Sequence, residues 1–213
     1  MLITGKDTSP LLRRDLRKAV RIIADAFIDY PIPGSFIEER DKRFKALREM
    51  FKVELKFSLR HSFVRTLPGE FKEVAIFRHN TEIIKGKKYI PYASISTLGM
   101  MFYISGREMK KLDMAVSKIE RVKKTLTLPE KTAELYILAV SPNHQGEGRA
   151  SKLLRPILNE LKEQGISCLL MTNKEVNCRI YEKLGFKIIE ELFDPRFNLT
   201  TYYMLRNVNG DAE

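Results

Sequence analysis

The sequence predicts a fold of the α/β (α+β) class, and three patterns carry that prediction. Leu135–Val140 and Ile166–Thr172 are continuous apolar runs of strand length, composed of residues that suit a buried sheet. Between them, Ala150, Leu153, Leu154, Ile157, Leu158 and Leu161 recur at the spacing of one helix face. Around this strand–helix–strand unit, β-rich runs at 61–67, 73–78, 186–190 and 199–206 share the chain with amphipathic helical patterns. No internal repeat or low-complexity tract interrupts it.

In chain order, Leu2–Thr4 reads as a short first strand. Ser9–Pro10 opens a helix, with a hydroxyl that can cap and a proline tolerated in a first turn. Leu16, Ala19, Val20, Ile23 and Phe27 continue that helix, and Tyr30-Pro-Ile-Pro-Gly34 stops it. A second helix, about 39–57, has Phe44, Leu47, Phe51 and Leu55 on its apolar face and basic residues on its wet side. His61–Leu67 and Glu73–Arg78 are expected to pair antiparallel across a turn at Pro68–Gly69.

From Pro91, the residues Tyr92, Ile95, Leu98 and Phe102 indicate a short helix broken near Ser105–Gly106. A longer helix then turns Met109, Leu112, Val116, Ile119, Val122 and Leu126 inward, and Lys110, Lys111, Lys118, Arg121, Lys123 and Lys124 outward. The block at about 91–128 therefore reads as extra helices inserted before the fourth main strand. Further on, Gly165 and Gly185 end helices, the second a short one over 175–184. Residues 1–206 are expected to form a single domain, with 207–213 a loose tail.

At 213 residues, 44% hydrophobic and 31% charged, the chain can bury a sizeable core. No apolar run approaches the roughly 20 residues of a membrane span, and the first residues carry Lys6, Asp7, Arg13 and Arg14 where a signal peptide is apolar. The expected location is cytoplasmic, with no membrane partner. Cys168, Cys178 and the scattered His61, His79 and His144 match neither a disulfide framework nor a metal-ligand spacing. The net charge of +11 is unevenly placed: residues 1–133 hold 28 Lys and Arg against 16 Asp and Glu, and the remainder hold 10 against 11. Solvated helix surfaces account for such an excess, as does an acidic partner or the attraction of an anionic ligand. No aromatic-interleaved basic stripe or nucleic-acid module accompanies it.

The junction between the strand ending at Val140 and the helix starting near Ala150 has the chemistry of an anion cradle. Gly146 and Gly148 let the backbone turn tightly and let a ligand approach its N–H groups. The first N–H groups of a helix lack intrahelical partners and sit at the positive end of its dipole. A dinucleotide fingerprint is not completed, since Ser151 stands at the third glycine position, and no Gly-Lys-Ser/Thr of a P-loop occurs here. Gln145-x-x-Gly148-x-Ala150 after a strand ending Leu-Ala-Val-Ser-Pro resembles instead the acetyl-CoA loop of the GNAT superfamily of N-acetyltransferases.

A second motif points the same way. Asn177-Cys-Arg-Ile-Tyr181-Glu-Lys-Leu-Gly185-Phe186 resembles the Asn-x-x-x-Tyr-x-x-x-Gly-Phe signature that follows the fifth strand in that superfamily. Asn177 and Tyr181, four residues apart, share one face of a short helix beside a stripe of Val176, Ile180 and Leu184. The fold that the resemblance implies is a mixed, mostly antiparallel sheet flanked by helices, splayed between the fourth and fifth strands so that acetyl-CoA enters the gap. The activity it implies is acetyl transfer from acetyl-CoA to a primary amine of a small molecule or protein in a ternary complex, without a metal.

The resemblance also assigns roles. Gln145, Gly146, Gly148, Arg149, Ala150 and Ser151 would hold the pyrophosphate, mainly through N–H groups, with Ala150 standing where the family more commonly has glycine. Leu138 and Val140 would offer backbone groups to the pantetheine and the acetyl carbonyl. Asn177 would contact the cofactor arm, with Asn173 a second candidate, and Tyr181 would protonate the departing sulfur. Glu134 occupies the position where some members place a general base. Strict strand alternation would set it and Tyr136 on one face with Leu138 and Val140. An exposed strand-end glutamate, with water taking the amine's proton, is the other reading. A non-catalytic acyl-CoA sensor and a basic nucleic-acid or ribosome-associated module are the rival functions. The identity of the acceptor, the acyl-chain preference and the oligomeric state are left open.

Overall fold

The computed structural model describes residue 5 and residues 7–78 and 98–208. Among these residues the sheet has seven strands, in the order β1-β2-β3-β4-β5-β7-β6. These are β1 Ser9–Pro10, β2 Phe63–Thr66, β3 Glu73–Arg78, β4 Thr132–Val140, β5 Ser167–Thr172, β6 Lys187–Asp194 and β7 Leu199–Arg206. Neighbours run antiparallel except β4 and β5, which are parallel. The helices are α1 Leu16–Phe27, α2 Pro31–Phe36, α3 Arg40–His61, α4 Gly106–Thr125, α5 Arg149–Glu163 and α6 Glu175–Glu182.

Each sheet face carries its own core. On one side α1 and α3 pack Ile23, Phe51 and Leu55 against Val74, Ile76, Ile137 and Ala139. On the other, Leu153, Leu154, Ile157, Leu158 and Leu161 of α5, the stripe read from the sequence, meet Ala75, Phe77, Leu135, Cys168, Leu170 and Met204. α4 crosses the β6–β7 end, where Ile119 packs against Leu199 and Tyr203 and the Tyr203 hydroxyl donates to the Ile119 carbonyl at 2.7 Å.

Several expectations shift. Ser9–Pro10 pairs with Thr66 and Arg65 as a two-residue edge strand, where proline's missing N–H is harmless, and α1 starts only at Leu16. The proline-rich segment after α1 ends that helix and is itself a short six-residue helix, with a proline in its first turn. The strand at Leu2–Thr4, the first part of the short helix expected from Pro91 (residues 91–97) and His79 lie outside the described residues, as does most of the tail; residues 98–100 of that helix are described and helical. On α4, Lys123 is buried rather than outward, and Val116 is exposed.

The largest departure is in β4. Ile76 pairs with Ile137 and Phe77 with Leu135, so Tyr136 is an extra, unpaired residue: a β-bulge. Alternation restarts on the other phase after it. Tyr136 therefore packs with Ile137 and Ala139 on the α1–α3 side, while Leu138 packs on the α5 side. Glu134 does not share a cleft face with Leu138.

Candidate active site

The parallel pairing of β4 and β5 covers only Thr132–Leu135 against Ser167–Leu170. Beyond it the two strands part. Ser141 donates its N–H to the Lys72 carbonyl at 2.7 Å, and antiparallel ladders alternate bonded and non-bonded pairs. Leu138 and Val140 therefore turn their backbone groups away from β3, toward the side that β5 has vacated. The Gln145 side chain donates to the Val140 carbonyl at 3.3 Å, leaving the Leu138 amide and carbonyl and the Val140 amide for a ligand in the gap.

The loop at the top of β4 has the shape of an anion cradle. Gly146 and Gly148 have φ of 83° and 71°, a left-handed backbone that glycine adopts without steric cost, and nothing lies within 4 Å of where a Cβ would stand on either. Gly148 is the N-cap of α5 and has no capping side chain, and the first intrahelical bond is Lys152 N–H to the Gly148 carbonyl. The N–H groups of Arg149, Ala150 and Ser151 thus stand ready at the positive end of a 15-residue helix. The Arg149 side chain turns away from them to the carboxylate of Glu73, which is fully buried and also accepts from the Leu67 N–H at 3.0 Å. A pyrophosphate held here would meet the Arg149 backbone, not its guanidinium.

The second motif closes the other wall. Gly185 has φ 86°, and the N–H groups of Leu184 and Phe186 both donate to the Tyr181 carbonyl, at 2.9 and 3.1 Å. This turn folds Phe186 under Tyr181, ring centroids 5.8 Å apart in an edge-to-face arrangement, and so fixes the phenol. Burial pushes the Tyr181 phenol well above its ordinary pKa. Asn177 spends its amide nitrogen inside the protein, donating to Thr172 Oγ1 at 3.1 Å and to Tyr30 Oη at 3.5 Å. Asn173 does likewise, to the Thr200 carbonyl at 2.9 Å and Thr201 Oγ1 at 2.7 Å. Cys178 is the buried side of α6, and Val176 and Ile180 of the expected apolar stripe are exposed.

Tyr30 is the residue that the sequence did not reveal. It stands just beyond α1 as the N-cap of α2, and its hydroxyl shares a 2.6 Å hydrogen bond with Thr172 and accepts from the Asn173 N–H at 3.3 Å. Burial raises its pKa. No local motif marks it, because its partners are more than 140 residues away.

Glu134, the expected base, is 2% exposed and paired with Lys123 at 2.9 Å. Beside it lies a second buried pair, Arg78 with Glu54 at 2.7 Å, the guanidinium stacked 3.1 Å from the Tyr136 ring centroid. These groups hold α3 and α4 to the sheet. A cavity of about 460 Å³ runs from Asn177, Tyr181 and Leu138 past Tyr30 to the apolar sides of α2, α3 and α4. Glu134 does not line it.

The sheet thus parts at its parallel strands, with the glycine cradle on one side of the gap and the half-buried Tyr181 on the other. Residues 106–188 match the family model described as an acetyltransferase (GNAT) domain, and this stretch of the chain is similar to the GNAT superfamily. The match opens at the first residue of α4, so that helix lies within the family's own pattern. Over 193 residues the chain is 25% identical to an uncharacterized N-acetyltransferase of Schizosaccharomyces pombe, covering 87% of this chain and 76% of that protein. It is 38% identical to the [ribosomal protein bS18]-alanine N-acetyltransferase of Haemophilus ducreyi over 60 residues, which span 27% of this chain and 41% of that one. The solved structure of PaiA N-acetyltransferase from Thermoplasma acidophilum, in complex with coenzyme A, superposes with a TM-score of 0.55 at 14% identity over 94% of this chain and 97% of that one. At that identity the likeness is one of fold.

Proposed function

We propose that this chain moves the acetyl group of acetyl-CoA to a primary amine by direct attack in a ternary complex. The observation that carries the reading is one continuous cavity joining the gap between β4 and β5, at Tyr181, to the apolar interior beyond it. Donor and acceptor can therefore meet end to end. The superfamily uses acetyl-CoA, and the site fits it: open N–H groups at Arg149, Ala150 and Ser151 for the pyrophosphate, and unpaired backbone at Leu138 and Val140 for the pantetheine arm.

In the reaction a nitrogen–carbon bond forms at the thioester carbonyl and the carbon–sulfur bond breaks. A backbone N–H in the gap meets the charge that develops on the carbonyl oxygen. Tyr181 gives its hydroxyl proton to the leaving sulfur, a step open to a phenol because it carries its proton at neutral pH. With Glu134 locked to Lys123, the amine's proton leaves to water. An acyl-CoA sensor would not need the cavity to continue beyond Tyr181, and that continuation favours the enzyme.

Tyr181→Phe should lower turnover roughly hundredfold while calorimetry finds the acetyl-CoA dissociation constant nearly unchanged. Unchanged turnover with chemistry rate-limiting would remove Tyr181 from the acid role. Failure of the native chain to bind acetyl-CoA would overturn the whole reading.

A further inference from the structure

The cavity beyond Tyr181 has a composition that bears on the acceptor. Its described lining includes three phenylalanines and four methionines, among them Phe27, Phe36, Phe51, Met50, Met100 and Met109. Such a surface rewards burial of an apolar body, and methionine adapts to irregular shapes and to aromatic rings. The chain has 38 Lys and Arg, yet among the described residues none lines the cavity. The charged residues that do are Glu54, Glu108 and Asp113, all acidic, with Asp113 exposed to solvent. Glu54 is already paired with Arg78 and Glu108 caps α4 through Ser105, so at the exposed mouth it is Asp113 that disfavours an anion and draws in a cation.

From this lining we infer that the acceptor is a small monoamine with a large apolar, aromatic or branched, body and no carboxylate or phosphate. The inference rests on the acetyl-transfer reading and deepens it. The volume of about 460 Å³ falls in the range of small-molecule pockets. The ammonium crosses the carboxylate-bearing part of the lining, the apolar body settles among the phenylalanines and methionines, and the nitrogen, once deprotonated, faces the gap at Tyr181. The basic excess of residues 1–133 is thus kept out of the described acceptor space. An acidic acceptor, one expectation from net charge, does not fit this lining.

The test is a matched pair: 2-phenylethylamine and phenylalanine share one apolar body and differ by a carboxylate. Binding is measured by calorimetry with the non-reactive desulfo-CoA present, and transfer by release of CoA thiol from acetyl-CoA. We expect 2-phenylethylamine to bind at least tenfold more tightly than phenylalanine, putrescine or a peptide with an N-terminal alanine, and to be acetylated with the same preference. Equal or tighter binding of any of those three overturns the inference. Asp113→Lys, on an exposed position, and Met109→Arg, on a partly buried one, should each cut the preference for 2-phenylethylamine over phenylalanine at least tenfold. An unchanged ratio in both counts against it. If 2-phenylethylamine binds selectively but no amine tested is acetylated, the transfer reading fails and the ligand class stands. The two failures are distinct.

Discussion

At the scale of single residues, the polar groups sealed into the sheet are the most consequential. Lys123 and Glu134 are each at most 6% exposed, and a buried ion pair is worth little against an apolar replacement but much against its own half. Lys123→Met should therefore destabilise the fold by about 3–5 kcal/mol, seen as a lower denaturant midpoint, because it leaves a buried carboxylate uncompensated. Replacing both residues, Lys123→Met with Glu134→Leu, should recover most of that loss. If acetyl transfer survives in the double variant, Glu134 is not the base; if transfer is abolished in a folded double variant, the expectation of a catalytic Glu134 returns.

At the scale of elements, the donor loop is a strand end, a turn and a helix start that must all hold. Gly148 supplies a left-handed residue at the helix N-cap with open space around it, so an alanine there meets no clash and only backbone strain. Gly148→Ala should cost about 1–2 kcal/mol of loop geometry. We expect it to weaken acetyl-CoA binding around tenfold or more, read by calorimetry, with a much smaller change in melting temperature than Lys123→Met gives. Equal affinity would mean that the αL conformation is not what shapes the cradle. The α5 helix behind the loop is held independently, by five buried leucine and isoleucine side chains and by the Arg149–Glu73 tie.

At the scale of the whole molecule, the net charge of +11 should speed encounter with a polyanionic donor. The association rate of acetyl-CoA in stopped flow should fall by about tenfold or more from low to high salt, with turnover at saturation little changed. This scale also decides what could be read in advance. The α5 stripe, the cradle glycines and the Asn177–Tyr181–Gly185 signature were legible because each is a local pattern whose spacing fixes its geometry. Tyr30 and Glu73 were not, since each acts through partners far along the chain. Lys123 reads as a wet residue in any helical projection, and the buried carboxylate of Glu134, eleven positions on, gives it reason to turn inward, with Glu120 on its own helix as a second partner.

The bulge at Tyr136 acts on the sheet as a one-letter insertion acts on a coded message: everything downstream is read in a new frame. Before it, the odd-numbered residues of β4 face α5; after it, the even-numbered ones do. Drawing Tyr136 into the ladder, with the nine residues of β4 in one unbroken alternation, would put Glu134 and Leu138 on one face, and would turn either the Lys123 ion pair outward or the donor-facing backbone against β3. The chain keeps both because it carries one residue more than a regular strand requires.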